Sequence, residues 1–374
     1  MLERPARVRV VGRAVTGNSL GCELLETQQM KALRFFDPAD MVVGVEAGLS
    51  FEELCSLLGE QSMQLPLNAW FPNATLGSMV AANSFGPDRM FGGGVRDSII
   101  GIEYVNGLGK LVKAGGKVVK NVTGYDVSRM MIGSRGGLGC ITAVNFKLIP
   151  QTKNPAVMRF EAPDLAQLGT LQAFVADRQP LDWCQLRWQN GCWQMAFGIS
   201  GNRPRLMALR QRLAAFLAAG WRFSDEAELS PEWQWARQEN RKCGFLKDVV
   251  SLFSTPYGHL HLQAPTSHWT ASRLNALARP GRILVVHPFG GDAHLFIPPQ
   301  EDLSGLQQEL SAWATLEWIA VPDHSVGIYP GLVVPLPPAF EFIQHLKAQL
   351  DPGDIFVAPF YQIENSPNLP REIT

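Results

Sequence analysis

The chain has 374 residues, of which 46% are hydrophobic and 18% charged, with a formal net charge of −1. That length accommodates two domains with sizeable cores, and a balanced charge without long Lys/Arg runs argues against a nucleic-acid or anionic-membrane surface. Six cysteines stand at 22, 55, 140, 184, 192 and 243 with no C-x-x-C pair, which suits a reducing compartment and excludes a four-thiolate iron–sulfur cluster held by this chain alone. No apolar stretch approaches the ~20 residues of a membrane span, and the opening MLERPARVRV lacks a signal-peptide pattern, so the expected location is cytoplasmic.

Residues 7–12, RVRVVG, alternate as a short strand, and the loop after it, with Gly12, Arg13, Gly17 and Asn18, is a first candidate phosphate-binding turn. Met41–Glu46 reads as a strand. Ser50-Phe-Glu-Glu53 is a capping box flanked by Leu49 and Leu54 as a hydrophobic staple, so a helix opens here and runs towards Gly59. Pro72–Asn83 carries a second candidate turn (Asn73, Ala74, Thr75, Gly77, Ser78) and then small residues that let backbone approach a ligand or another element. Phe85–Gly94 reads as loop and Ile99–Val105 as a strand. Asn106-Gly107 with Gly109 is a hairpin signal into Leu111-Val112.

Lys113–Pro150 holds seven glycines around a short amphipathic segment and ends on the strand-like run Ile141–Ile149. Glycine permits positive φ and close backbone approach, and successive free N–H groups in such a turn bind anions. Three Gly turns of this kind, each beside a strand or helix end, suit an extended dinucleotide. The two common nucleotide signatures are missing: Gly107-x-Gly109 has Val112 where a Rossmann glycine would stand, and Gly116-Lys117 is followed by Val118 rather than Ser or Thr.

Beyond Pro150 glycine thins and tryptophan becomes frequent. Asp164 with Leu165, Leu168, Leu171 and Phe174-Val175 marks one helix, and Leu206, Leu209, Leu213 and Phe216-Leu217 mark another. Trp183–Phe197 and Ile283–Ile297 read as strands or hairpins, giving an α+β domain. The PLPP run at 335–338 precedes a final helix, Ala339–Leu350. The expected organisation is 1–150, 151–335, and 336–374 returning to the first domain.

The order Val11-Gly12…Gly17, Glu46-Ala-Gly48, Pro72…Thr75-Leu-Gly77, Arg96-Asp97, Lys120-Asn121-Val-Thr-Gly-Tyr-Asp126 and Gly133-Ser-Arg-Gly-Gly-Leu-Gly139 to Ile141-Thr142 resembles the FAD-binding domain of the vanillyl-alcohol oxidase / PCMH flavoprotein superfamily. The block around Lys120–Thr142 is similar in particular to the FAD-binding E-type subunits of bacterial glycolate oxidases. The resemblance covers residues 8–150 well and the last stretch weakly. It implies an α+β fold: a PCMH-type FAD-binding domain of two α/β subdomains, the N-terminal one trimmed, followed by an α+β cap or substrate domain. It also implies that the Gly12–Asn18 loop and the Asn73–Ser78 turn cradle the FAD pyrophosphate. Asn121, Gly124, Gly133, Ser134, Gly136, Gly137 and Gly139 would line the isoalloxazine and ribityl side, with Ile141 and Thr142 by the adenosine half. No histidine precedes His259, so the expected FAD is non-covalent.

The implied activity is oxidation of a small 2-hydroxy acid such as glycolate, in a complex with a larger flavin subunit and an iron–sulfur subunit. Membrane contact, at the inner membrane, would come only through those partners. A flavin-fold scaffold subunit that has lost FAD is the alternative. Such oxidation needs a base for the hydroxyl and a cation for the carboxylate. The candidate catalytic residues are His287 and His294, in Ile283–His294; larger catalytic relatives carry metal-binding histidines in H-x-G-D-G-N-x-H, whereas this segment keeps the outer pair around Phe-Gly-Gly-Asp, and no metal is expected. The competing reading is a strand and turn with ordinary histidines.

Overall fold

The computed structural model describes residues 8–11, 23–69, 73–86, 88–117, 128–151, 155–162, 164–166, 168–169, 181–200, 222–223, 258–287, 291–298, 301, 304–320 and 340–356, with isolated positions between 202 and 212. Its contacts divide the chain into two units. The first comprises Met1–Gly86, Gly93–Gln151 and Leu336–Thr374, and the second Pro87–Gly92 and Thr152–Pro335.

In the first unit the chain runs through β1 (Val8–Val11), β2 (Glu23–Glu26), β3 (Leu33–Asp37), β4 (Val42–Glu46), α1 (Phe51–Glu60), β5 (Met63–Gln64), α2 (Leu76–Ala81), β6 (Ile99–Val105), β7 (Leu111–Gly115), β8 (Cys140–Lys147) and β9 (Ile149–Pro150). β3-β4-β8-β6-β7 form one antiparallel sheet, while β1 and β2 pair in parallel as a separate ribbon. α1 starts at the capping box: Ser50 Oγ accepts from Glu53 N at 3.2 Å and Ser50 N donates to Glu53 Oε2 at 2.9 Å. Its Phe51, Leu54 and Leu58 lie on one face at helical spacing and pack with Val43, Val45, Ile102, Val144 and Phe146 of the sheet. In the β6–β7 hairpin the Asn106 side chain accepts from Leu108 N and Lys110 N, both at 3.0 Å, which closes the turn locally.

The second unit holds an eight-stranded sheet in the order β13-β10-β12-β11-β15-β16-β14-β17. Its strands are β10 (Pro155–Ala162), β11 (Trp183–Gln189), β12 (Cys192–Ser200), β13 (Arg222–Phe223), β14 (Gly258–Gln263), β15 (Ile283–His287), β16 (Asp292–Ile297) and β17 (Thr315–Ala320). All its pairings are antiparallel, so strand alternation sorts the side chains cleanly into two faces. Leu186, Leu260, Leu262, Leu284, Val286, Leu295 and Ile297 share a core with Leu274 and Leu277 of the helix Ala271–Leu277 and Leu306 and Leu310 of the helix Ser304–Ser311. The other face carries Gln185, Arg187, His259, His261, His287 and His294 together with the apolar Val285 and Phe296.

Some local expectations are revised. Phe85–Gly94, read as loop, contains a helical turn at Arg89–Gly92. Asp164 accepts from Ala166 N at 2.9 Å in a turn, helix is described at 168–169, and Leu171 and Phe174-Val175 lie outside the described residues. The expected 206–217 helix and the PLPP run lie largely or wholly outside the described residues. The last helix spans Phe340–Leu350, in the first unit.

Candidate functional site

Two stretches far apart in sequence converge in the first unit. Thr75 caps α2 by accepting from Ser78 N at 3.3 Å, and Ser78 Oγ donates to Thr75 O at 2.8 Å. The far end of α2 receives the glycine turn, since Gly133 N donates to Val80 O at 3.1 Å and Arg135 N to Ala81 O at 2.9 Å. Ala47 joins the same patch, donating to Thr142 O at 2.9 Å and accepting from Gly77 N at 2.8 Å. The 73–78 and 133–142 residues singled out in the sequence therefore form one connected surface. Gly12, Arg13, Gly17, Asn18, Asn121 and Gly124 lie outside the described residues.

The glycines answer first to packing. A Cβ on Gly77 would stand 2.8 Å from the Ala47 Cβ, which sets how closely α2 crosses that segment. Gly136 has φ +79, and a Cβ there would meet Val10 Cβ of β1 at 3.3 Å. Gly139, at φ +153, would bring a Cβ within 2.6 Å of Val105 O. The Gly77 amide, expected at the pyrophosphate, donates to the Ala47 carbonyl, and the Gly137 amide, expected on the isoalloxazine and ribityl side, donates to the Ser134 carbonyl. The Ile141 side chain packs into the core, and the buried Cys140 thiol, pushed up to about 11 by burial, is unreactive. Arg135 takes a left-handed φ of 53, and although burial lowers its guanidinium to about 10 it remains a cation at neutral pH.

What the patch offers a cofactor is hydroxyls. Ser134 Oγ and Thr142 Oγ1 are buried and have no hydrogen-bond partner among the described residues. A buried polar group left so costs about 1–3 kcal/mol, so a polar ligand lying against the turn, as FAD would, satisfies both. The residues present fit that cofactor.

In the second unit the polar face of the sheet carries a histidine cluster centred on one carboxylate. His287 Nδ1 lies 2.9 Å from Asp292 Oδ2, and Gln185 Nε2 lies 3.1 Å from His287 Nε2. With its proton on Nδ1, the His287 ring donates to the aspartate and leaves Nε2 to accept from the amide. His261 and His294 each bring Nε2 to 3.9 Å from the same Asp292 oxygen, and their rings stack at 4.7 Å. His259 Nε2 meets His294 Nδ1 at 2.8 Å. Burial, reinforced by the neighbouring imidazoles, holds His294 well below its ordinary value, and burial aided by His261 brings His259 down to about 3. Both are neutral imidazoles at physiological pH.

The structure thus brings His287 and His294 together, with ring centroids 6.5 Å apart. It adds His259, His261, Asp292 and Gln185, which the sequence reading did not select as site residues. The signal was available: His259-Leu-His261 and Asp292-Ala-His294 each alternate at the two-residue period of a strand face. Donor atoms of His261, Asp292 and His294 lie within 4.8 Å of one another, a two-nitrogen, one-oxygen set of the type that zinc or manganese accepts. Arg187, buried on the same face two positions from Gln185, adds a positive charge.

The fold and the glycine patch define an FAD-binding flavoprotein of the PCMH type, with FAD as its cofactor. The FAD binding domain family matches residues 2–115. Glycolate oxidase subunit GlcE of Escherichia coli is 28% identical over 349 residues, covering 92% of this chain and 87% of that protein. The mitochondrial D-lactate dehydrogenase [cytochrome] of Arabidopsis thaliana is 32% identical over 380 residues, covering 91% of this chain and 66% of the relative. Among solved structures, an alkyldihydroxyacetonephosphate synthase superposes with a TM-score of 0.62 over 93% of this chain and 72% of its own, at 14% identity, a likeness of fold. No helix among the described residues is long and apolar enough to cross a membrane.

Proposed function

We propose that this chain is the FAD-binding subunit of a multi-subunit 2-hydroxy-acid oxidoreductase acting on glycolate or a close analogue. The observation that carries the reading is the His287–Asp292 pair on a buried face that also bears Arg187, in a chain resembling GlcE along most of its length. When bound, FAD accepts the two electrons released as the hydroxyl-bearing carbon becomes a carbonyl. His287 Nε2 takes the hydroxyl proton once Gln185 yields its place, and Asp292 stabilises the imidazolium so formed. Arg187 supplies the charge that complements the substrate carboxylate. The buried surroundings exclude water from the proton transfer. Because the cysteines lack the spacing of a cluster, electrons leave through a partner subunit that carries iron–sulfur centres.

The test is anaerobic reduction of the purified complex by glycolate and by D-lactate, followed at the flavin band at about 450 nm. Bleaching that His287→Gln abolishes at unchanged flavin content supports the assignment. A complex that reduces normally with His287→Gln removes the catalytic role from this chain, and one whose copy of this chain never carries flavin makes it a scaffold.

A further inference from the structure

The first unit contains a buried ion pair that the cofactor patch does not explain. At the end of the helix Phe340–Leu350, Lys347 Nζ donates to Asp351 Oδ2 and to Phe356 O. The Asp351 carboxylate also accepts from Ile355 N at 2.9 Å and Phe356 N at 2.8 Å, and the residue is only 2% exposed. One carboxylate and one ammonium therefore fold residues 351–356 back on the helix. The turn they shape is tied to β1: Val8 N donates to Ile355 O at 2.7 Å, and Val8 bridges Phe356 in parallel. β1 in turn lies against the glycine turn, through Val10 at Gly136. Among the described strands, β1 has only β2 as a ladder partner, so the 355–356 segment supplies its other flank.

We propose that Asp351 and Lys347 are positioning residues for FAD: by holding the 351–356 turn they fix β1, and β1 fixes the Gly133–Gly139 turn against the cofactor. Neither residue needs to touch FAD. The energetic logic is that β1 is a short ribbon with one partner, marginal alone, so a flank secured by a buried, doubly hydrogen-bonded carboxylate sets its position. Coupling of this kind is reciprocal, and FAD must tighten the turn to the same degree that the turn tightens FAD. The inference rests on FAD being the cofactor of this patch.

The experiment titrates FAD into the flavin-free full-length chain and into Asp351→Ala, reading flavin fluorescence, with circular dichroism of the flavin-free forms as the check on folding. A Kd at least tenfold weaker in Asp351→Ala with an unchanged spectrum, partly recovered in Asp351→Asn, which keeps an acceptor for one of the two amides, supports the proposal. A native Kd in Asp351→Ala overturns it. Should Asp351→Ala fail to fold, hydrogen exchange of the native chain decides: FAD slows exchange of the Ile355 and Phe356 amides if the turn is coupled to the site, and leaves them unchanged if it is not. A native chain that binds no FAD would fail the cofactor assignment itself, and the positioning role would go with it.

Discussion

Replacing Gly139 with alanine imposes two separate costs that the structure allows to be added. At φ +153 the backbone lies in a region that L residues rarely adopt, worth about 1–3 kcal/mol of strain. The new methyl would also sit 2.6 Å from Val105 O and 3.1 Å from Tyr104 Cδ2. Val105 faces Cys140 in the β6–β8 ladder, so neither strand can retreat without breaking register, and the overpacking adds about 1–3 kcal/mol. The expected loss is about 2–6 kcal/mol. Gly133→Ala is the control: φ is +80, but the nearest atom to its new methyl is Asn83 Cβ at 3.7 Å, so only the left-handed strain of about 1–2 kcal/mol applies. Urea unfolding of both variants by circular dichroism, with equal slopes, gives the two losses directly. If Gly139→Ala costs no more than Gly133→Ala, the contact with Val105 does not constrain the turn and the packing account of Gly139 is wrong.

The capping box should respond to acid. Hydrogen bonds from Ser50 and then Lys31 hold the Glu53 carboxyl down to about 2 from its ordinary 4.5, so its stabilisation is fully present above pH 4.5 and is lost as pH falls through about 2; Glu53→Gln should remove that slope from the acid limb of unfolding. Ser50→Ala should cost about 1 kcal/mol in chemical denaturation at neutral pH. Asp292→Asn preserves the shape of the second-unit cluster but withdraws the charge from His287, so flavin reduction by substrate should slow by on the order of 100-fold or more with FAD content unchanged, read by stopped-flow bleaching. Glu301→Gln leaves the buried Arg282 guanidinium without its carboxylate and should destabilise the chain by about 3 kcal/mol in thermal unfolding.

The parts of this fold legible in the sequence are those written in short range. The α1 box is complete within Ser50–Glu53, and β4 and β6 announce themselves by β-branched runs. β2 does not, because Glu-Leu-Leu-Glu is short, largely exposed and paired in parallel with β1. The glycine turn is legible as a turn, yet the reason for Gly139 lies in Val105 of β6 and that for Gly136 in Val10 of β1, contacts that only the assembled first unit creates. The same holds for the histidines. His261 faces His294 because β14 pairs with β16 in one register, and no local pattern states which strands will be neighbours.

The bridge between Val8 and Phe356 also sets an order of events during synthesis. The first unit is interrupted by the second, and the flank of β1 is supplied by residues that the ribosome releases after every strand of the second unit. Closing a loop of that length has a modest entropic cost that grows only logarithmically, but the pairing cannot begin until the later segment exists. The nascent first unit therefore passes through a stage in which β1 has one open edge while the second unit is already free to fold as a continuous segment. If β1 positions the glycine turn as proposed, that turn takes its final place only after residues 351–356 have emerged.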